Sequence, residues 1–224
     1  MKRTFQAAML FLLCSSLEAR AQAQVSSTSA AETYSQAEIE AFNAVDAEKD
    51  PDLRIVLVEE FASKYPNSSL LVYVYPQCYT GYGQSKNYSK ILECADGLLK
   101  LGDRAAVSAQ YSALHMAAIA YNNLNSDDPL LAQDARKRAL RGVMLLPSLK
   151  RPDLLNESAV EARKHELAFE VEMKREENYL QATAGRAALV MKDYFAASEA
   201  FKTIIARNAV GALPEPAQAA APVR

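Results

Sequence analysis

Tryptophan is absent from this chain of 224 residues, and glycine, proline and histidine number only 7, 9 and 2. So few turn-forming residues leave little material for the tight connections of an all-β barrel or sandwich. Neither sign of charge dominates: 25 Lys and Arg stand against 27 Asp and Glu. There is no basic excess to neutralise phosphates, so no nucleic acid is expected as a partner. No apolar run reaches the roughly 20 residues a spanning helix requires, so no stable membrane anchor is expected. No Walker-type loop, G-x-S-x-G elbow or CxxC pair occurs. Gly81-Tyr82-Gly83 lacks the third glycine and the preceding strand of a dinucleotide loop. No cofactor and no metal site are expected.

What is present is a composition half hydrophobic and 23% charged, that of a globular protein. Lys2 and Arg3 precede a short apolar run from Ala7 to Cys14, and Ala21-Gln22-Ala23 supplies small residues beyond it. This is the layout of a cleavable secretory signal peptide over residues 1–23. Cys14 follows Leu12-Leu13 rather than a small residue, so lipidation is not expected. The implied location is exported, periplasmic or extracellular. Residues 24–34 are rich in Ser, Thr and Ala and read as a flexible leader. Residues 210–224 carry three prolines among alanines and read as a disordered tail. Asn-x-Ser sequons at Asn67, Asn87 and Asn156 are read as chance occurrences.

Between leader and tail, residues 35–209 carry helical signals throughout. Ser35-x-x-Glu38 has the spacing of a capping box, followed by Ile39, Phe42 and Val45 at helical spacing. Asp50-Pro51 and Asp128-Pro129 each place a cap before a proline whose missing N–H costs nothing at the first helical position. Further helices are expected over 88–100, 103–124, 128–147 and 194–208. Residues 70–85 are assigned to helix although Val72-Tyr73-Val74-Tyr75 has strand propensity and Pro76 disfavours a helix interior. Residues 153–191 read either as one long helix or as two, broken near Glu176-Glu177-Asn178. The expectation is an all-α chain of eight helices in four pairs.

Internal similarity sharpens this expectation. Lys86-Asn87-Tyr88 and Lys192-Asp193-Tyr194 are matching turn-to-helix junctions, and the segments after them align Glu93 with Glu199, Ala95 with Phe201 and Leu98 with Ile204. Tyr82, Ile91, Ala95, Leu98 and Asp103 follow one spacing rule; Ala188, Ala197, Phe201, Ile204 and Ala209 follow it again, with Gly185 ahead of them. Ala135, Ala139, Gly142 and Pro147 fit its second half, and Val58, Phe61 and Pro66 fit loosely. In this the chain resembles the tetratricopeptide repeat (TPR) family. The resemblance implies a stack of antiparallel helix pairs over 35–209, with a concave groove lined by the first helix of each pair. On that strip it would place Tyr73, Thr80, Gln84, His115, Asn122, Asn123, Tyr179 and Arg186 as binding residues. Asn and Gln can hydrogen-bond a peptide backbone, and Arg186 can fork onto a carboxylate.

Chemistry beyond binding is thin. His165-Glu166 lacks the second His four residues on that would complete a zinc helix. It reads as a solvated helix residue within the mixed charges of 157–177. His115 lies on an apolar helix with no acid partner visible. Cys78 and Cys94 lie at similar distances before and after the Lys86-Asn87 turn. Two buried thiols are the expected state; a disulfide is the alternative in an oxidising compartment. The reading is a non-catalytic exported scaffold binding a protein or peptide. The rival readings are a cell-envelope assembly factor, an enzyme built on His115 and a carboxylate, and an oligomer joined along the long helix. A second apolar stripe on that helix would mark the last.

Overall fold

The computed structural model describes residues 34–79, 82–152 and 157–210. The contact pattern divides the chain after Tyr34. The expected signal peptide, all of the leader but Tyr34 and all of the tail but Val210 lie outside the described residues, as do Thr80, Gly81 and the sequon at Asn156. Among the described residues there is no strand, and the chain is all-α.

The elements are α1 (Gln36–Ala47), α2 (Pro51–Lys64), α3 (Leu71–Val74), α4 (Tyr82–Ser85), α5 (Tyr88–Lys100), α6 (Val107–Leu124), α7 (Pro129–Leu145), α8 (Ala159–Val190) and α9 (Tyr194–Val210). Their starts follow local chemistry. Asp50 accepts from the N–H groups of Asp52 and Leu53, and Asp128 from that of Leu130, each with Pro at the first helical position. Ser35 accepts from Glu38 N at 3.2 Å. A reciprocal capping box closes at Ser158 and Glu161, where it opens the longest helix.

Two departures have physical causes. Residues 70–85 form short α3, a 3₁₀ segment at Tyr75–Tyr79 and short α4 rather than one helix. Pro76 can donate no hydrogen bond and its ring crowds the preceding turn. The expected start at Asp103 moves to Val107, because Gly102, at φ +58°, opens a 3₁₀ turn at Gly102–Arg104. Residues 159–190 are one unbroken helix of 32 residues, about 48 Å long; the junction at 176–178 does not break.

The repeated junctions are alike in backbone as well as sequence. Lys86 and Lys192 both adopt left-handed φ, at 54° and 60°. The next residue caps the following helix in each: Asn87 accepts from Lys90 N at 3.4 Å, Asp193 from Ala196 N at 3.0 Å. Asn125, at φ 48°, ends α6 the same way. From α5 onward successive helices run antiparallel, as the pairings Ile91 with Ala120, Gly142 with Leu180 and Glu177 with Arg207 require.

The core has two textures. Val45, Ile55, Val58, Phe61, Leu71, Val74 and Leu98 bury large side chains in one cluster joining α1 to α5. From α6 onward the buried residues are mostly Ala118, Ala132, Ala135, Ala139, Ala184 and Ala187, around Tyr121 and Leu180. Small residues bring backbones close: a Cβ on Gly142 would meet Leu180 Cδ1 at 2.9 Å.

Cys78 and Cys94 form a disulfide, with Cα atoms 6.3 Å apart. Two separate thiols were expected; the 3₁₀ turn after Pro76 instead brings Cys78 against α5, within the roughly 7 Å a bridge tolerates.

Candidate functional site

The residues expected on one binding strip do not share one environment. Tyr73 on α3 and Gln84 on α4 are exposed; Thr80 lies outside the described residues. Asn123 is exposed and donates to Ile119 O at 2.8 Å. His115, Asn122, Tyr179 and Arg186 come together, and they do so by bonding across two helices.

That seam follows from helical periodicity. Tyr111, His115 and Asn122 form a stripe on α6; Glu176, Tyr179, Thr183 and Arg186 form one on α8. The two helices run parallel here, so the stripes meet rung by rung. Tyr111 Oη donates to Glu176 Oε2 at 2.6 Å. His115 Nδ1 faces the same oxygen, an ion pair when the imidazole is protonated. The His115 ring stacks on Tyr179, with centroids 5.4 Å apart and planes 28° apart. Asn122 Nδ2 donates to Thr183 Oγ1 at 2.8 Å and Tyr179 Oη at 3.1 Å. Arg186 donates to Asn122 O at 3.0 Å and also to Asn125 Oδ1.

The electrostatics are those of a clamp. Burial pulls the Glu176 carboxyl upward, but His115 and Tyr111 together outweigh it and hold the group below the usual carboxylate range. Burial and the Glu176 charge push the Tyr111 phenol far up. His115 thus does meet a carboxylate, though both side chains are largely buried and Glu176 Oε2 already serves two partners. Removing Asn122 or Arg186 would open the α6–α8 contact as well as altering a surface.

An open cleft lies elsewhere, between α7 and α9 over α8. It measures about 330 Å³, with Gln181 and Ala184 of α8, Leu140 of α7, and Phe195, Ala200 and Thr203 of α9 among its lining residues. Arg136 and Asp193 pair across its edge at 3.3 Å, beside Glu199. Phe195 is 78% exposed, and Met144, one turn from Leu140 on α7, is almost as open. Sequence reasoning missed Leu140, Met144 and Phe195. The adjacent aromatics Tyr194-Phe195 at the last helix start were the available signal. α9 is apolar on several faces, so periodicity could not say which face stays uncovered.

The long helix carries the second apolar stripe. Val160, Leu167 and Val171 are exposed on α8, ahead of the part that α9 covers. His165 faces Glu157 on another side of the helix. No family model, no curated protein and no solved structure matches the chain.

Proposed function

We propose that this protein is a non-catalytic, exported helical-repeat module, TPR-like in its stacking of helix pairs, which binds a segment of another protein in the α7–α9 cleft. The observation that carries the reading is the cleft itself: Phe195 and Leu140 leave apolar area open to water beside the amide and hydroxyl of Gln181 and Thr203. Apolar area with a few polar groups at its margin is the chemistry of a peptide site. The repeated Lys-Asn/Asp-Tyr junctions, with their left-handed lysines, support a stack of like pairs. The Cys78–Cys94 bridge supports export, since such bonds persist in oxidising compartments. An N-terminus at Gln24 or Gln22 on the protein isolated from its host is the corresponding expectation.

The ligand class follows from the lining. An apolar side chain packs on Phe195 and Leu140, while the segment's backbone meets Gln181 and Thr203. Selection of displayed 12-residue peptides tests this. Enriched peptides should be apolar-rich and should bind Leu140→Ser/Phe195→Ser at least about tenfold more weakly, as hot-spot truncation does. Peptides indifferent to that variant but lost on Tyr73→Ala/Gln84→Ala would move the site to the expected concave strip.

A further inference from the structure

The first half of α8 presents a face that nothing in the described residues covers. Val160, Leu167 and Val171 are 81%, 46% and 51% exposed. With Lys164 and Lys174 they fall at alternating spacings of four and three residues, the pattern of a two-helix seam. Asn178 and Gly185 continue the same row in steps of seven. There α9 lies on it: Asn178 bonds Asn208 at 3.1 Å, Glu177 pairs with Arg207 at 2.5 Å, and Gly185 admits the Phe201 ring. Where α9 ends, the row runs on for about 21 Å, from Lys174 to Val160, with no helix of the described residues laid on it.

We propose that this stretch is a homotypic interface, in which a second copy of the chain packs its α8 antiparallel across the first about a two-fold axis. The charges favour that partner. In the antiparallel register Val160 of each copy packs on Val171 of the other, and Lys164 on Leu167, its stem covering apolar area while its ammonium reaches water. The same register sets Arg163 beside Glu170 of the second copy, and the symmetry makes the pair twice. Arg163, Lys164 and Glu170 are exposed and enter no ion pair among the described residues. Neighbouring charges are engaged: Glu157 with Arg151 and His165, Glu166 with Arg151, Glu172 with Arg175. A parallel pairing would not bring Arg163 and Glu170 together, because identical residues then stand side by side. A self-complementary patch is what two-fold association requires.

Three apolar residues per copy make a small interface, so the association is weak and concentration-dependent. Sedimentation equilibrium of the purified protein from about 1 μM to about 1 mM should show a monomer–dimer equilibrium, the range of Kd such interfaces occupy. Leu167→Lys, at an exposed position, should weaken it at least about tenfold without lowering the melting temperature, since it would set a second ammonium against Lys164 of the other copy in the seam. Arg163→Glu alone and Glu170→Arg alone should each be monomeric. Mixing the two should restore dimer, because each opposed pair is then of opposite sign. A wild-type protein monomeric throughout, a dimer unaffected by Leu167→Lys, or a charge-swapped mixture that stays monomeric would each overturn the proposal. None of these outcomes bears on the α7–α9 cleft.

Discussion

The two halves of the helical domain solve the same packing problem with different materials. From α1 to α5, large side chains fill one apolar cluster and a disulfide ties the broken segment to α5. From α6 to α9, alanines and glycines let helices approach closely, and polar contacts carry what apolar bulk does not. Arg138 of α7 forks onto Asp96 of α5 with two bonds of 2.8 Å, joining this half to the first. Arg141 donates to Gln110 at 2.7 Å, and Gln110 in turn holds Ala105 O at 2.9 Å. The His115–Glu176 seam belongs to this second texture. Loss of volume should therefore damage the first half most, and gain of volume or loss of charge the second.

The largest effect should come from truncating the apolar cluster. Phe61 is fully buried and its ring lies 5.1 Å from that of Tyr65. Phe61→Ala should cost about 3–5 kcal/mol, measured by urea denaturation. A comparable loss from Ala139→Gly, in the alanine-lined half, would erase the distinction between the two textures.

Next is the covalent tie. Cys78→Ser with Cys94→Ser opens a bridge between residues 16 apart in sequence and should cost about 3 kcal/mol through the unfolded chain's regained freedom. The loss should appear first in α3 to α5, as faster amide exchange there than in α8. Uniform acceleration along the chain would mean that the halves unfold as one unit.

These two regions also differed in how far they could be read from sequence. Helix starts at Asp50 and Asp128 were legible because a cap and a proline act within one turn. The matched junctions at Lys86 and Lys192 were legible because the same turn chemistry recurs. The broken segment at 70–85 was not: the strand-like Val and Tyr residues, the proline and the cysteine pull in different directions, and the contact with α5 decides among them. The seam was half legible. The TPR resemblance put His115, Asn122, Tyr179 and Arg186 on one strip, but that they bond one another, and that Glu176 is the acid beside His115, depends on how two helices separated by α7 come side by side. The cleft was not legible, since an exposed Phe195 arises from what fails to pack on it.

Adding volume tests the close-packed half directly. Gly142→Ala sets a methyl against Leu180, which has no exposed surface and nowhere to move; a loss of about 1–3 kcal/mol is expected. Gly185→Ala meets only the tip of the Phe201 ring, a side chain 37% exposed that can swing outward. The gain in helix propensity of about 1 kcal/mol offsets that strain, so thermal melting should show little change. Equal losses at both positions would mean that α9 is held as rigidly as the α7–α8 contact.

The smallest effect, and the most specific, concerns charge in the seam. Glu176 is held below its ordinary value in the folded protein by His115 and Tyr111, against the upward pull of burial. A depressed carboxyl contributes stability that is present above its unfolded value and is lost as pH falls through the folded one. At pH 7 the contribution is in full force, and Glu176→Gln should lower stability by about 1 kcal/mol, the ordinary worth of a hydrogen bond lost at a partly buried site. Below the folded value the wild-type carboxyl is protonated and resembles the amide, so the two stability curves should converge. His115→Gln should flatten the same acid limb, because it removes one of the two groups that depress the carboxyl, whereas Asn122→Ala should lower stability by a similar amount at every pH. Curves for wild type and Glu176→Gln that stay parallel through the whole acid limb would show that the carboxylate is not what joins α6 to α8. The seam would then rest on the Tyr179 stack and the Asn122–Thr183 bond, and the second half of the molecule would be held by shape rather than by charge.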